Sequence, residues 1–88
     1  MREDAIAHRV VALLTQRLGI SPEAVTLTAE LAEDLGVDSV DAVEFALALE
    51  REFDVALPDK VIAEVRTVQD VVDLVWERTR APSEAGRG

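Results

Sequence analysis

The apolar residues of this chain recur at helical spacing in three separate segments. In the first segment they stand three or four positions apart along one face, and Gly19 follows where a helix would end. A first helix is therefore predicted over about Glu3–Leu18. No segment shows an alternation of apolar and polar residues, typical of a strand, that fits better than this helical spacing. The chain is predicted to be all-α, a small four-helix bundle with three main helices and one short one.

A capping sequence predicts the start of the second helix. Asp38-Ser39-Val40-Asp41 has the form of a capping box, in which Asp38 accepts hydrogen bonds from free backbone N–H groups and an acidic residue stands at the third helical position. The helix would run from Ser39 to about Phe53. Its apolar positions predict a wide core-facing stripe made of Val43, Phe45, Leu47, Leu49 and Phe53.

The C-terminal half predicts two more helices. Pro58-Asp59 followed by KVIAEV allows only a short third helix. Thr67 with Asp70 three residues later predicts the cap of a fourth helix, which ends near Arg80. Its apolar face is formed by Val68, Val71, Val72, Val75 and Trp76. Residues 1–80 are predicted to form one domain, and the small polar tail 81–88 is predicted to be disordered.

A long loop of about twenty residues separates the first two main helices. Ser21-Pro22 favours a single helical turn, and Thr28 is a candidate cap for another. Loops of this length in small domains are usually functional or packed down. We expect four side chains to fasten it to the core, namely Val25, Leu27, Leu31 and Leu35.

Composition limits the function classes. Eighty-eight residues bury one modest core, and the absence of cysteine excludes disulfides and thiolate chemistry and fits a reducing cytosol. The formal net charge of −9 repels nucleic acid and anionic membranes and attracts basic protein surfaces. We find no apolar signal region and no run of membrane-spanning length, so a free-standing cytoplasmic protein is expected. We also expect a monomer, because no exposed apolar stripe long enough to demand a dimer is predicted.

Ser39 has no obvious catalytic partner. A nucleophilic serine needs a general base, and the sole histidine, His8, falls on the exposed face of the first helix. The carboxylates nearby lack the ligand spacing of a calcium loop and allow only opportunistic ion binding. They are Asp34, Asp38, Asp41 and Glu44. Ser39 is then either a good residue for a first helical turn or the acceptor of a phosphate-bearing group, whose charge suits a helix N-terminus.

The segment EDLGVDSVDAVEFALALEREFDVALPD resembles the acyl carrier proteins, whose hallmark is an Asp-Ser-Leu-type motif opening the second helix. Asp-Leu-Gly, Asp-Ser, Glu-Phe, Pro-Asp and Thr-Val-Gln stand in family order, and the resemblance extends from about Ile6 to Val75. In that family a phosphopantetheinyl transferase moves 4′-phosphopantetheine from coenzyme A onto the motif serine. The resemblance implies that this serine is Ser39, between Asp38 and Val40. It also implies a carrier that holds acyl groups as thioesters on the arm and is not an enzyme.

The resemblance implies further roles. The acidic face that meets Arg and Lys of partner enzymes would comprise Asp38, Asp41, Glu44 and Glu50, with the last three on roughly one side of the second helix. The partners would be the transferase and acyl-loading, condensing or acyltransferase enzymes with basic docking surfaces. The interior would double as a sleeve for the acyl chain. Its candidate lining residues are Leu31, Leu35, Leu49, Leu57, Ile62, Val65 and Val71.

The chain departs from the family pattern at several positions. Val40 stands where Leu is usual, and Arg51 interrupts the acids of the second helix. In the third helix, Lys60 and Val61 predict a less acidic docking contact, and Ile62 predicts a narrower sleeve that suits short, polar or aminoacyl cargo. These departures favour a dedicated pathway for a polyketide, a peptide or an unusual acyl group. General fatty acid synthesis remains open, as does an acidic helical interaction domain that is never modified.

Overall fold

A computed structural model describes residues 3–80 and contains four α-helices in that range. They are α1 (Glu3–Leu18), α2 (Ser39–Phe53), α3 (Asp59–Ile62) and α4 (Val68–Arg80), with a 3-10 turn at Pro22–Ala24. Helix α1 packs against both α2 and α4. The predicted helical bundle is confirmed, including its one short helix. The tail predicted over 81–88 lies outside the described residues.

The core takes its side chains from all three long helices. The largest fully buried ones are Ile6, Leu14, Leu49, Val10, Val68, Val72 and Val75. Burying a side chain of this size stabilises the fold by about 1.5–3 kcal/mol relative to leaving it in water. The valine face predicted for α4 therefore packs as expected, and it packs directly on α1. Among the helices of residues 3–80, none has both the length and the apolar character needed to cross a bilayer.

The apolar face that α2 turns to the core is narrower than predicted. Phe45 and Leu49 are buried, but Val43 and Leu47 are 59% and 50% exposed. With Val40, which is 73% exposed, they form a line at spacings of three and four residues on the opposite side of the helix. We call Val40, Val43 and Leu47 the outer stripe. The prediction that Val43 and Leu47 face the core was wrong, because the core residues of α1 and α4 cluster with Phe45 and Leu49 on the other face of α2. The outer stripe comprises three exposed residues, and the expectation of a monomer stays a prediction.

The start of α4 holds the long loop in place. The first N–H groups of a helix have no partner within it. Here the N–H of Val68 donates to the Ala29 carbonyl at 3.0 Å, and the N–H of Gln69 donates to the Leu27 carbonyl at 2.9 Å. The loop therefore satisfies two of the free donors of α4, and two of its own carbonyls gain partners.

Loop side chains supply the second attachment. Val25, Leu31 and Leu35 pack against the core as predicted. Leu27 does not, because its side chain is 44% exposed and only its carbonyl is engaged. The buried side chains of the loop are those of Ala29 and Val37, which the apolar pattern did not single out.

Thr67 and Asp70 form a reciprocal cap on α4. The N–H of Asp70 donates to the Thr67 hydroxyl at 3.1 Å, and the N–H groups of Arg66 and Thr67 each donate to the Asp70 carboxylate at 3.0 Å. The cap predicted from the sequence is confirmed. The hydrogen bonds from the backbone N–H groups of Arg66 and Thr67 favour the charged carboxylate and lower the pKa of Asp70 below its ordinary value of 3.8.

We expect Asp70→Ala to lower the free energy of unfolding by about 1 kcal/mol at neutral pH, since it removes the cap. The pKa of Asp70 is lower in the folded than in the unfolded chain. Its contribution is therefore present above the unfolded pKa and is lost as the pH falls through the folded pKa. Urea unfolding at several pH values should show the gap between wild type and variant closing below about pH 4. Asp73→Ala, one turn later, is the control, and an equal gap at pH 3 and pH 7 would contradict the assignment.

Candidate cofactor-attachment site

Ser39 is the first residue of α2, and its side chain is exposed. Asp38 precedes it in extended conformation, and the Asp38 carboxylate accepts a hydrogen bond from the N–H of Asp41 at 2.8 Å. This is the predicted cap. No group within residues 3–80 forms a hydrogen bond with the Ser39 hydroxyl. The hydroxyl is therefore free to react, while the backbone that carries it is held by its neighbour.

A glycine-terminated turn fixes the approach to the cap. Gly36 has a φ of +71°, which a residue with a Cβ adopts only with strain. This conformation lets the N–H of Gly36 donate to the Ala32 carbonyl at 3.2 Å and the N–H of Val37 donate to the Leu31 carbonyl at 2.8 Å. The Val37 side chain is then buried. Ser39 is thus anchored on both sides, by a buried residue before the cap and by the helix after it.

The groups around Ser39 do not form a catalytic or metal site. His8 is exposed on α1 and is not among the residues that line the cleft beside Ser39. Two of the four carboxylates named from the sequence are used locally: that of Asp34 accepts from the N–H of Glu30 at 2.8 Å, and that of Asp38 caps α2. In the described range 3–80, no three or more His, Asp or Glu side chains are grouped to hold a metal ion.

Ser39 also lines a cleft of about 350 Å³. The walls come from the loop, from α2, from the segment around the end of α3, and from α4. Five of the predicted sleeve residues line it, namely Leu31, Leu49, Ile62, Val65 and Val71. The other two, Leu35 and Leu57, are not in its lining. Leu57 is buried in the core, and Leu35 packs against the core.

Other lining residues were missed from the sequence. Ala42, Phe45 and Ala46 follow Ser39 at helical spacing and line the same cleft, as do Val37 and Leu74. The signal was the spacing itself: positions three and seven after Ser39 lie on one side of α2 with it, and Phe45 follows Ala42 by three residues. From Ser39 to Leu49 the cleft follows α2 for about 15 Å, at 1.5 Å per residue.

Four charged residues are part of the cleft lining. The Arg66 guanidinium is 3.6 Å from the Glu30 carboxylate, and both residues line the cleft with Glu33 and Asp38. An exposed pair of this kind contributes about 0–1 kcal/mol. The remaining lining is mostly apolar, so the cleft suits an apolar group that enters from Ser39.

Comparison of the sequence with known proteins shows the family. The profile of the family described as "Phosphopantetheine attachment site" matches residues 8–75. The chain is also 41% identical over 81 residues to an acyl carrier protein of Thermosynechococcus vestitus, and the match covers 92% of this chain and 100% of the relative. The chain belongs to the acyl carrier protein family. Acyl carrier proteins are carriers rather than catalysts, carry covalently attached 4′-phosphopantetheine, and interact with phosphopantetheinyl transferases and acyl-handling enzymes.

The surroundings of Ser39 in this carrier fit such an arm. The hydroxyl is exposed, and the positive end of the α2 dipole lies where a phosphodiester would attach. The Asp38 carboxylate next to it has the same sign as a phosphodiester. Because Asp38 is exposed, water and salt screen this repulsion. A covalent attachment does not depend on a strong phosphate site, so the local charge does not oppose it.

The predicted docking acids of the carrier divide into two groups. Asp38 and Glu44 are exposed, whereas Asp41 and Glu50 are half-buried. At about 100° per residue, Glu44 and Glu50 lie about 120° apart, on opposite flanks of the outer stripe. The expectation that Asp41, Glu44 and Glu50 share one side was therefore wrong.

The Glu50 carboxylate has a structural partner. It accepts a hydrogen bond from the N–H of Leu57 at 2.7 Å, across a separation of seven residues. The residue that caps the end of the helix, Asp54, lies nearby, and its backbone is in the left-handed conformation with a φ of 57°. Glu50 thus holds the connection between α2 and α3 against the end of α2.

Proposed function

We propose that 4′-phosphopantetheine is attached to Ser39 and that the protein carries acyl groups on this arm. The observation that carries the proposal is the position of Ser39, an exposed and unbonded hydroxyl that opens α2 and lines a largely apolar cleft. When bound, the arm supplies the thiol that holds an acyl group as a thioester, which the chain itself cannot do because it has no cysteine. The protein supplies a fixed attachment point and an apolar shelter.

The test is an intact mass measurement before and after incubation with coenzyme A and a broad-specificity phosphopantetheinyl transferase. We expect one phosphopantetheinyl group per chain, and peptide mapping should place it on Ser39. No gain of mass under conditions that modify a known carrier would contradict the proposal. It would favour an interaction domain in which Ser39 serves only as a helix-start residue.

The cleft is the shelter for the acyl chain. Leu31, Leu49, Ile62 and Val71 line it, and transferring one methylene from water to such an environment is favourable by about 0.8 kcal/mol. An apolar chain tethered at Ser39 therefore gains by entering the cleft. A partner enzyme that binds the thioester end of the chain must offset the free energy gained by burial in the cleft. The cleft therefore holds an intermediate reversibly.

The exposed side of α2 is the surface for partner enzymes. The outer stripe offers Val40, Val43 and Leu47 beside Ser39, and the exposed carboxylate of Glu44 lies on one flank. A partner with a small apolar patch bordered by Arg or Lys would complement it. Charged rims speed association more than they strengthen binding, which suits a carrier that must release each partner.

We further infer that the partners belong to a dedicated biosynthetic pathway. Lys60 is exposed on α3, and two residues later Ile62 places a branched side chain in the cleft lining. Lys60 makes the docking surface less acidic, and Ile62 narrows the cleft that shelters the acyl chain. Both features favour partners and cargo other than those of general fatty acid synthesis.

Lys60→Glu tests this inference about partners. We expect it to raise kcat/KM with a condensing enzyme of general fatty acid synthesis several-fold, because a carboxylate complements the basic docking surface of such an enzyme. Arg17→Glu, an exposed charge reversal on α1, is the matched control and should change little. Equal turnover of the wild type and Lys60→Glu would contradict the role of α3 in partner choice.

A further inference from the structure

A second hollow lies behind the cleft, and two side chains line both. The hollow measures about 250 Å³, and its apolar lining consists of Val61, Val65 and Leu74. Val65 and Leu74 are also part of the cleft lining. The two spaces are therefore separated at this point by a wall that is one side chain thick.

The two sides of this wall differ chemically. The cleft side continues the apolar lining formed by Ile62 and Val71. The hollow is bordered by four carboxylates, those of Glu64, Asp70, Asp73 and Glu77. Carboxylates that remain hydrated oppose the entry of an apolar group, because it displaces their water. An acyl chain that reaches the wall therefore finds no favourable path beyond it.

We propose that Val65 and Leu74 form the end wall of the cleft and set the longest acyl chain that the carrier encloses. The proposal rests on the proposed function, since it concerns a chain tethered at Ser39. Up to the wall, each added methylene favours the enclosed state about fourfold, which corresponds to about 0.8 kcal/mol. A longer chain must fold back or leave its end in water, so this gain stops.

The test uses the holo-protein loaded with straight acyl chains of increasing length. The measurement is the rate at which hydroxylamine cleaves the thioester, which falls when the chain is enclosed. In the wild type we expect the rate to fall about fourfold per methylene and then level off at a length limit. Leu74→Ala removes three carbon atoms from the wall itself and should move this limit to longer chains, because the space that it frees adjoins the apolar cleft. Val61→Ala is the matched control, because Val61 lines only the hollow.

A second variant keeps the proposal testable if Leu74→Ala fails to fold. Val65→Ile adds one methylene to the wall and should move the limit to shorter chains. If all loaded variants share the wild-type limit, the end wall is overturned while the carrier function stands. A wild-type protein that takes no arm at Ser39 would overturn the proposed function, and this inference with it.

Discussion

A Ser39→Ala variant is expected to gain no mass with coenzyme A and a phosphopantetheinyl transferase, whereas the wild type gains one phosphopantetheinyl group. The reason is chemical, because alanine has no hydroxyl to form the phosphodiester bond. The effect should be complete and not graded. Alanine is a good helix former, and Ser39 is exposed without a hydrogen bond, so the free energy of unfolding should change by no more than about 0.5 kcal/mol.

Ser21→Ala provides the matched control. Ser21 is also exposed and precedes a helical turn, but that turn spans only three residues and Ser21 makes no capping hydrogen bond. It is also outside the lining of the cleft. We expect the Ser21 variant to be modified like the wild type. A mass gain that persists in Ser39→Ala, or that disappears in Ser21→Ala, would move the attachment site away from the start of α2.

The helices could be predicted from the sequence because their determinants are local. The caps at Asp38 and Thr67 depend on residues within four positions, and each forms where the sequence indicated the start of a helix. Which side of a helix faces the core depends instead on the other helices. Helix α2 is apolar on both sides, so periodicity alone did not distinguish Leu49 in the core from Leu47 in solvent.

The local part of the site could be predicted from the sequence, and the part that depends on distant contacts could not. Ser39 was identified from its local motif, and its position at the head of α2 follows from the cap. The cleft depends on contacts between distant segments, so only part of its lining was named. Leu74 was missed because it joins the lining only when α4 packs beside Ile62 and Val65. The role of Glu50 was missed because its partner, the N–H of Leu57, is seven residues away in a non-helical segment.

The outer stripe gives the second large expected effect. Leu47→Asp should lower kcat/KM for phosphopantetheinyl transfer by about tenfold to a hundredfold, because it places a charge in the apolar centre of the docking surface. Glu44→Lys should lower it by a similar factor through repulsion of a basic partner, and this loss should shrink as salt screens the charges. Neither change removes a core contact, since both side chains are exposed.

Matched variants separate docking from general effects of charge. Leu27→Asp changes another exposed leucine, which lies in the loop, and Glu77→Lys reverses an exposed charge on α4. We expect both to be modified at nearly the wild-type rate. The measurement is the initial rate of transfer at several carrier concentrations, with thermal unfolding of each variant as the check on folding. Equal losses in Leu47→Asp and Leu27→Asp would show that the transferase responds to net charge or stability, and the outer stripe would then have no special part in docking.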